Sequence, residues 1–332
     1  MENYLVDVPV RVNIWIRPEC QKKQLEVLKM AKPSIIFLQS DGGRNEKEWK
    51  AISENRKLLD EGINWNCTVY RFYEEHNNGM YAMAKKVSDF IWEKVDRCIF
   101  LEDDILPTVS FFTFCAELLE KYKDDQRIEV ICGMNHLGIY ENANADYFFS
   151  RQGSVWGIAT WRRTYIERGC FAYNNSYDLK LLKQRTRHNP EIWRKLRGYS
   201  ENINFGGHEP GTEFWIELNM YVQNRLQIIP RLNMIKNIGC TENSAHMDSI
   251  DQMPHGIRRI FNMKTYEMSF PIKHPNYIMP DIFYEKKRNQ IMAYNTPIRH
   301  MLRVGERFLI KIFTGRWKDV LKLIKRKKTH ER

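Results

Sequence analysis

The chain has 332 residues, 43% hydrophobic and 13% aromatic, a mixture that can bury a large core and excludes an intrinsically disordered protein. No run approaches the ~18 consecutive apolar residues of a membrane span, and the amino terminus lacks a basic stretch followed by an apolar one, so neither a membrane-spanning nor a secreted protein is expected. The net charge is +11, but residues 295–332 hold twelve Lys/Arg against three Asp/Glu, a balance of +9 that leaves +2 for everything before them.

Val10, Val12, Ile14 and Ile16 alternate with Arg11, Asn13, Trp15 and Arg17, the period of a strand, and Pro18 stops it. A helix carrying Leu25, Val27, Leu28 and Met30 follows. Residues 34–38 form a second buried strand, which ends in the polar loop Gln39, Ser40, Asp41, Gly42 and Gly43. A charged helix over 45–59, a strand over 67–73, the loop 74–79 and a helix over 80–92 come next. The short apolar run Cys98, Ile99, Phe100 and Leu101 then suits a strand covered on both faces. This alternation predicts a mostly parallel, doubly wound α/β sheet with right-handed crossovers. Its loops at Arg17, Asp41, residues 76–79 and residues 102–104 should gather on one edge, where open sheets bind ligands.

Glu102, Asp103 and Asp104 stand at the end of the fourth strand. Adjacent acids repel one another and are placed on solvent, at a helix start or around a cation. Pro107 and Thr108 already supply the start of the next helix, whose apolar face is Phe111, Phe112, Cys115, Leu118, Leu119 and Tyr122. The triplet is therefore spare, and hard oxygen ligands at a sheet edge suit Mg²⁺ or Mn²⁺ carrying a diphosphate. No G-x-G-x-x-G follows the first strand and no G-x-x-x-x-G-K-[ST] occurs, which argues against dinucleotide-binding and P-loop folds. Seven scattered cysteines without a CxxC pair fit a reducing compartment and no zinc site.

The sequence resembles the GT-A glycosyltransferases, and among them bacterial enzymes similar to the GlcNAc-transferase that begins complex N-glycan formation. SDGGR at 40–44, NNG at 77–79, LEDDILPTVSFFTFC at 101–115, DQRIEVICGMN at 125–135, VWGIATWRRTY at 155–165 and IIPRLNMIKNIGCTENSAH at 228–246 carry the likeness, over roughly residues 10–250. It implies a GT-A, Rossmann-like, mostly parallel sheet flanked by helices. It also implies a nucleotide-sugar half at about 1–135 and an acceptor half at about 136–250. A connecting segment at 251–294 and basic amphipathic helices at 295–332 complete the chain. By the same resemblance Arg17, Asp41, Asn78, Glu102 and Asp103 hold the donor, Asp104 and His246 hold Mn²⁺ or Mg²⁺, and Glu213 is the base that deprotonates the acceptor. Glu213 replaces the aspartate of related sequences, and Glu217, one helical turn later, is the competing choice.

The implied activity is metal-dependent transfer of a sugar, with inversion, from a nucleotide-sugar donor to a glycan or lipid-linked acceptor, in bacterial surface polysaccharide synthesis. The protein would work in the cytoplasm, at the inner membrane face. A catalytically inactive GT-A protein and a sugar-1-phosphate nucleotidyltransferase are the alternatives, although Arg17-Pro18-Glu19 is not the glycine-rich loop the latter needs. Trp156 and Trp161 could floor a sugar pocket or pack a core, and Arg162 and Arg163 could contact phosphate or solvent. Residues 200–211, rich in Gly and Pro, suit a lid. Trp317, Val320, Leu321 and Ile324 recur at helical spacing among lysines, a pattern for an anionic bilayer surface or a docked terminal helix; no nucleic-acid motif is present.

Overall fold

A computed structural model describes residues 6–167, 176–187, 193, 211–240, 253–293 and 297–315. The first hundred residues alternate as the pattern predicts: β1 (Val10–Ile14), α1 (Pro18–Ala31), β2 (Ile35–Ser40), α2 (Glu46–Gly62), β3 (Thr68–Tyr73), α3 (Met80–Lys94) and β4 (Arg97–Leu101). The four strands are parallel in the order β3-β2-β1-β4, with Val12 level with Leu38 and Leu101. Side chains alternate across the sheet. Val10, Val12, Ile36, Leu38, Ile99 and Leu101 therefore share one buried face with Leu25 and Leu28 of α1. Phe37, Tyr70, Phe72 and Phe100 share the other with Met83, Val87 and Ile91 of α3. Burying a residue of this size contributes about 2 kcal/mol, so these two layers fix the register.

After the triplet the expected direct entry into a helix does not occur. A three-residue strand, β5 (Ile105–Pro107), intervenes before α4 (Val109–Lys121). Later strands follow at β6 (Ile128–Cys132), β7 (Tyr147–Ser150) and β8 (Ile158–Trp161), before the short α5 (Arg162–Ile166) and α6 (Ser176–Arg185). Next come α7 (Thr212–Val222), β9 (Leu226–Pro230) and β10 (Ile235–Asn237). β5 exists because β10 offers it an antiparallel partner 130 residues away, Ile105 facing Asn237. The main sheet runs β3-β2-β1-β4-β8-β6-β9-β7, with β8 and β7 reversed against their neighbours. This is an α/β fold with a mostly parallel central sheet flanked by helices.

Residues 253–293, read from the sequence as a connection, enter the core. They contain α8 (His255–Arg258) and α9 (Ile282–Met292), and they supply Ile260, Met268, Ile272 and Ile291 to the main cluster and Tyr284 to a second one. Glu267 accepts bonds from the first two amides of α4, Val109 N at 3.2 Å and Ser110 N at 2.8 Å. A helix start that its own Thr108 side chain leaves uncapped is thus capped by a distant acid. α10 (Pro297–Phe313) follows. Among the described residues no helix is long and apolar enough to cross a membrane.

Candidate active site

β1 lies between β2 and β4; the chain leaves β1 toward β2 and leaves β4 toward the other half of the sheet, so the loops after β1 and β4 stand where the strand order reverses, the place where open sheets bind ligands. The triplet sits there as a tight turn held from two sides. From α1, the Gln24 amide donates to the carbonyls of Glu102 (2.9 Å) and Ile105 (2.8 Å). From the β10 side, Ile238 N donates to the Asp104 carbonyl at 2.9 Å. A side chain at Gly239 would collide with the Asp104 carboxylate, so glycine is needed there for the close approach.

Arg17, the last residue before α1, aims its guanidinium at the triplet, with Nη1 2.8 Å from Asp104 Oδ2 and 3.3 Å from Asp103 Oδ2. Burial opposes the Arg17 charge, but the two aspartates outweigh it and raise its pKa. Burial pushes Asp103 up to about 7, opposed by Arg17 and assisted by Asp104. Asp104 Oδ1 is a buried atom without a hydrogen-bond partner among the described residues, and Asp103 Oδ2 has the ion pair with Arg17 but no hydrogen bond among them. An under-satisfied carboxylate pair whose net charge Arg17 only partly offsets fits a divalent cation. No group of three His, Cys, Asp or Glu in metal-holding geometry occurs among the described residues. His246 lies outside them, as does most of the glycine-rich 200–211 stretch.

Arg11 and Asn13 of β1 share the α3 face with Phe100 of β4 and Gln39 of β2, and Glu102 continues that face at the edge. The Arg11 guanidinium, buried 4.8 Å over the Phe100 ring, is lowered by burial and held up by Glu102. Burial pushes Glu102 up to about 7; Asp104 adds to the push, Arg11 opposes it, and Glu213 contributes a further repulsion. Asn13 Oδ1 and Gln39 Oε1 are buried acceptors with no partner among the described residues. Sequence reading passed over Arg11, Asn13 and Gln39. Their polarity at positions between apolar neighbours of a buried strand was the available signal.

Asp41 and Asn78, both assigned to the donor, lie together. Asp41 Oδ1 accepts from Gly42 N (3.0 Å) and Asn78 N (2.9 Å), and Oδ2 accepts from Gly79 N (2.9 Å). The carboxylate thus ties the β2 loop to the β3 loop. Gly42 passes so close to the His76 carbonyl that a Cβ would strike backbone atoms. Arg56 of α2 reinforces the junction through the carbonyls of Ser40, Asp41 and Glu74.

Glu213 stands in the first turn of α7 and, with Glu217, lines a small pocket beside Arg151, Gln152, Gln227 and Arg288. α9 contributes Arg288, which donates to the Gly153 carbonyl at 2.9 Å, while its Glu285 accepts from Ser150 Oγ (3.1 Å) and Arg151 N (2.6 Å) and so fixes the strand end behind the pocket. Neither α9 residue carries a sequence signal, since the segment reads as an ordinary charged helix. Trp161 is a core residue, donating to the Leu119 carbonyl at 3.0 Å, and Trp156 packs edge-on against Phe261. Arg163 donates to the carbonyls of Tyr122, Lys123 and Asp125 at the end of α4, which assigns it to structure.

No protein-family model and no curated protein matches the sequence. Among solved structures, a UDP-glucose pyrophosphorylase complexed with UDP-glucose is similar at 8% identity and a TM-score of 0.35, covering 70% of this chain and 93% of that one. Glucosyl-3-phosphoglycerate synthase of Mycobacterium tuberculosis, complexed with Mn²⁺, UDP-glucose and phosphoglyceric acid, is similar at 12% identity and a TM-score of 0.25, covering 48% of this chain and 58% of that one. Likenesses this distant carry no argument about activity.

Proposed function

We propose that the chain is a metal-dependent glycosyltransferase that moves the sugar of a nucleoside-diphosphate sugar to a hydroxyl of a glycan or lipid-linked glycan, with inversion. The observation that carries the reading is the acidic turn at the carboxyl end of β4, where Asp104 Oδ1 is buried without a hydrogen-bond partner among the described residues and Arg17 Nη1 stands 2.8 Å from Asp104 Oδ2. The acid assigned as the base, Glu213, stands in the first turn of α7. The motifs shared with GT-A enzymes support the same assignment.

In this reading Asp104 and His246 would hold Mn²⁺ or Mg²⁺, with Asp103 beside them on the donor. The cation would supply Lewis-acid stabilisation of the departing diphosphate. Arg17 adds a fixed positive charge on the same side. The unpartnered oxygens of Asn13 and Gln39, with Glu102, accept hydrogen bonds from donor hydroxyls. Asp41 and Asn78 shape the pocket for the base and ribose through the loops they join. Glu213 takes the proton of the acceptor hydroxyl while the acceptor oxygen bonds to the anomeric carbon and the bond to the phosphate oxygen breaks.

The test is product formation by the purified full-length protein across a panel of UDP-, GDP-, CMP- and dTDP-sugars, with Mn²⁺ or with EDTA. One donor should turn over only with metal, and Asp104→Ala should abolish turnover. Glu213→Gln should lower kcat about 10²–10⁴-fold with donor binding retained. An unaffected Glu213→Gln beside a dead Glu217→Gln would move the base by one helical turn. Binding of no donor under any condition would sink the reading. Formation of a nucleotide sugar from a nucleoside triphosphate and a sugar phosphate would replace it.

A further inference from the structure

α10 is mounted the wrong way round for a helix of a water-soluble protein. Its polar side faces the protein: Glu306 accepts from His255 N at 2.7 Å, Arg303 lies so close to α8 that a side chain at Gly256 would collide with it, and Arg299 donates to the Gln290 carbonyl at 3.5 Å. Positions 299, 303 and 306 fall on one face at helical spacing. The adjoining face carries Ile298, Met301, Leu302, Leu309 and Phe313, which are 72%, 72%, 68%, 52% and 85% exposed. An apolar stripe of four turns held outward by polar contacts is the reverse of the usual arrangement.

The charge around the stripe selects its occupant. Arg299, His300, Arg307 and Lys311 lie on the helix itself, and the sequence from 295 onward carries +9 of the chain's +11. A second copy of the same helix would bring like charge against like charge. An anionic lipid surface takes the apolar side chains into its acyl boundary and the basic ones against its headgroups. We propose that α10 is an interfacial membrane anchor: it lies in the plane of an anionic phospholipid bilayer with its outward stripe inserted and the body of the protein hung from its polar face. The inference stands apart from the proposed transferase activity.

Flotation of the full-length protein with vesicles tests it. Wild type should rise with phosphatidylcholine vesicles containing phosphatidylglycerol, stay behind with phosphatidylcholine alone, and detach as salt is raised. Leu302→Glu with Leu309→Glu changes only exposed side chains and should lower partitioning by roughly tenfold or more with the fold intact by circular dichroism. Arg307→Glu should lower it about fivefold or more, the effect of a basic residue near such a surface. The proposal fails if wild type does not bind anionic vesicles. It fails equally if the double glutamate variant binds as wild type does, which would assign attraction to charge alone. It also fails if Leu309→Glu abolishes a concentration-dependent dimer that binds no vesicle, which would make the stripe an interface between two copies.

Discussion

Arg17 gives the acidic triplet a counter-ion of its own. Removing it as Arg17→Ala would leave two enclosed carboxylates facing each other without compensation, an error that costs about 3 kcal/mol when one partner of a buried pair is lost. Urea melts in EDTA should show that loss, and Mn²⁺ should restore part of it. The same residues set a pH dependence. Glu102 and Asp103 titrate at about 7 in the folded protein and near ~4 in an unfolded chain. Between those values the folded state binds more protons, so metal-free stability falls as pH rises through the window and levels off above it. Thermal midpoints across a pH series in EDTA check the sign, and stabilisation by Mn²⁺, which competes with those protons, should grow over the same range.

At the level of elements, the triplet is a short turn whose shape comes from α1 and β10. Gln24→Ala removes two hydrogen bonds to its carbonyls and should cost about 2 kcal/mol. Gly239→Ala should cost both stability and turnover, since the new Cβ would meet Asp104 Cβ at 2.7 Å as well as its carboxylate. It pushes Asp104 away from Arg17, and a displacement near 1 Å can lower rate about 10²-fold. Steady-state kinetics set against melting separates the two effects. The parallel half was legible in the sequence because each strand and helix there announces itself through its own period and neighbours in chain order. β5 and β10 were not: Ile105 and Asn237 have no local pattern that foretells their pairing, and a three-residue strand has too few positions to show one. The acids were legible as a motif, whereas the arginine and glutamine that hold them are ordinary residues until distance in the chain is folded away.

Across the whole molecule, the carboxyl-terminal third belongs to the same body as the sheet. Ending the chain before α9 would strip Tyr284 and Ile291 from the core and free the Ser150 hydroxyl from Glu285, so that version should be insoluble or unfolded. Ending it after Ala293 removes the exposed stripe of α10 and should leave a cooperative melt; solubility and calorimetry of the two truncations distinguish them. The division of charge, +9 after residue 294 against +2 before it, was readable from composition, but the outward mounting of α10 depends on which side chains meet α8 and could not be.

The clamp on the triplet also dictates an order of assembly during synthesis. β1 to β4 are complete once about a third of the chain has been made, and domains tend to form as they emerge from the ribosome. The Asp104 carbonyl, however, must wait for Ile238, and the first amides of α4 must wait for Glu267. A nascent chain therefore carries an acidic loop fastened only from the α1 side while residues 105–237 are made, and the centre of the site closes well after the parallel half of the sheet is complete.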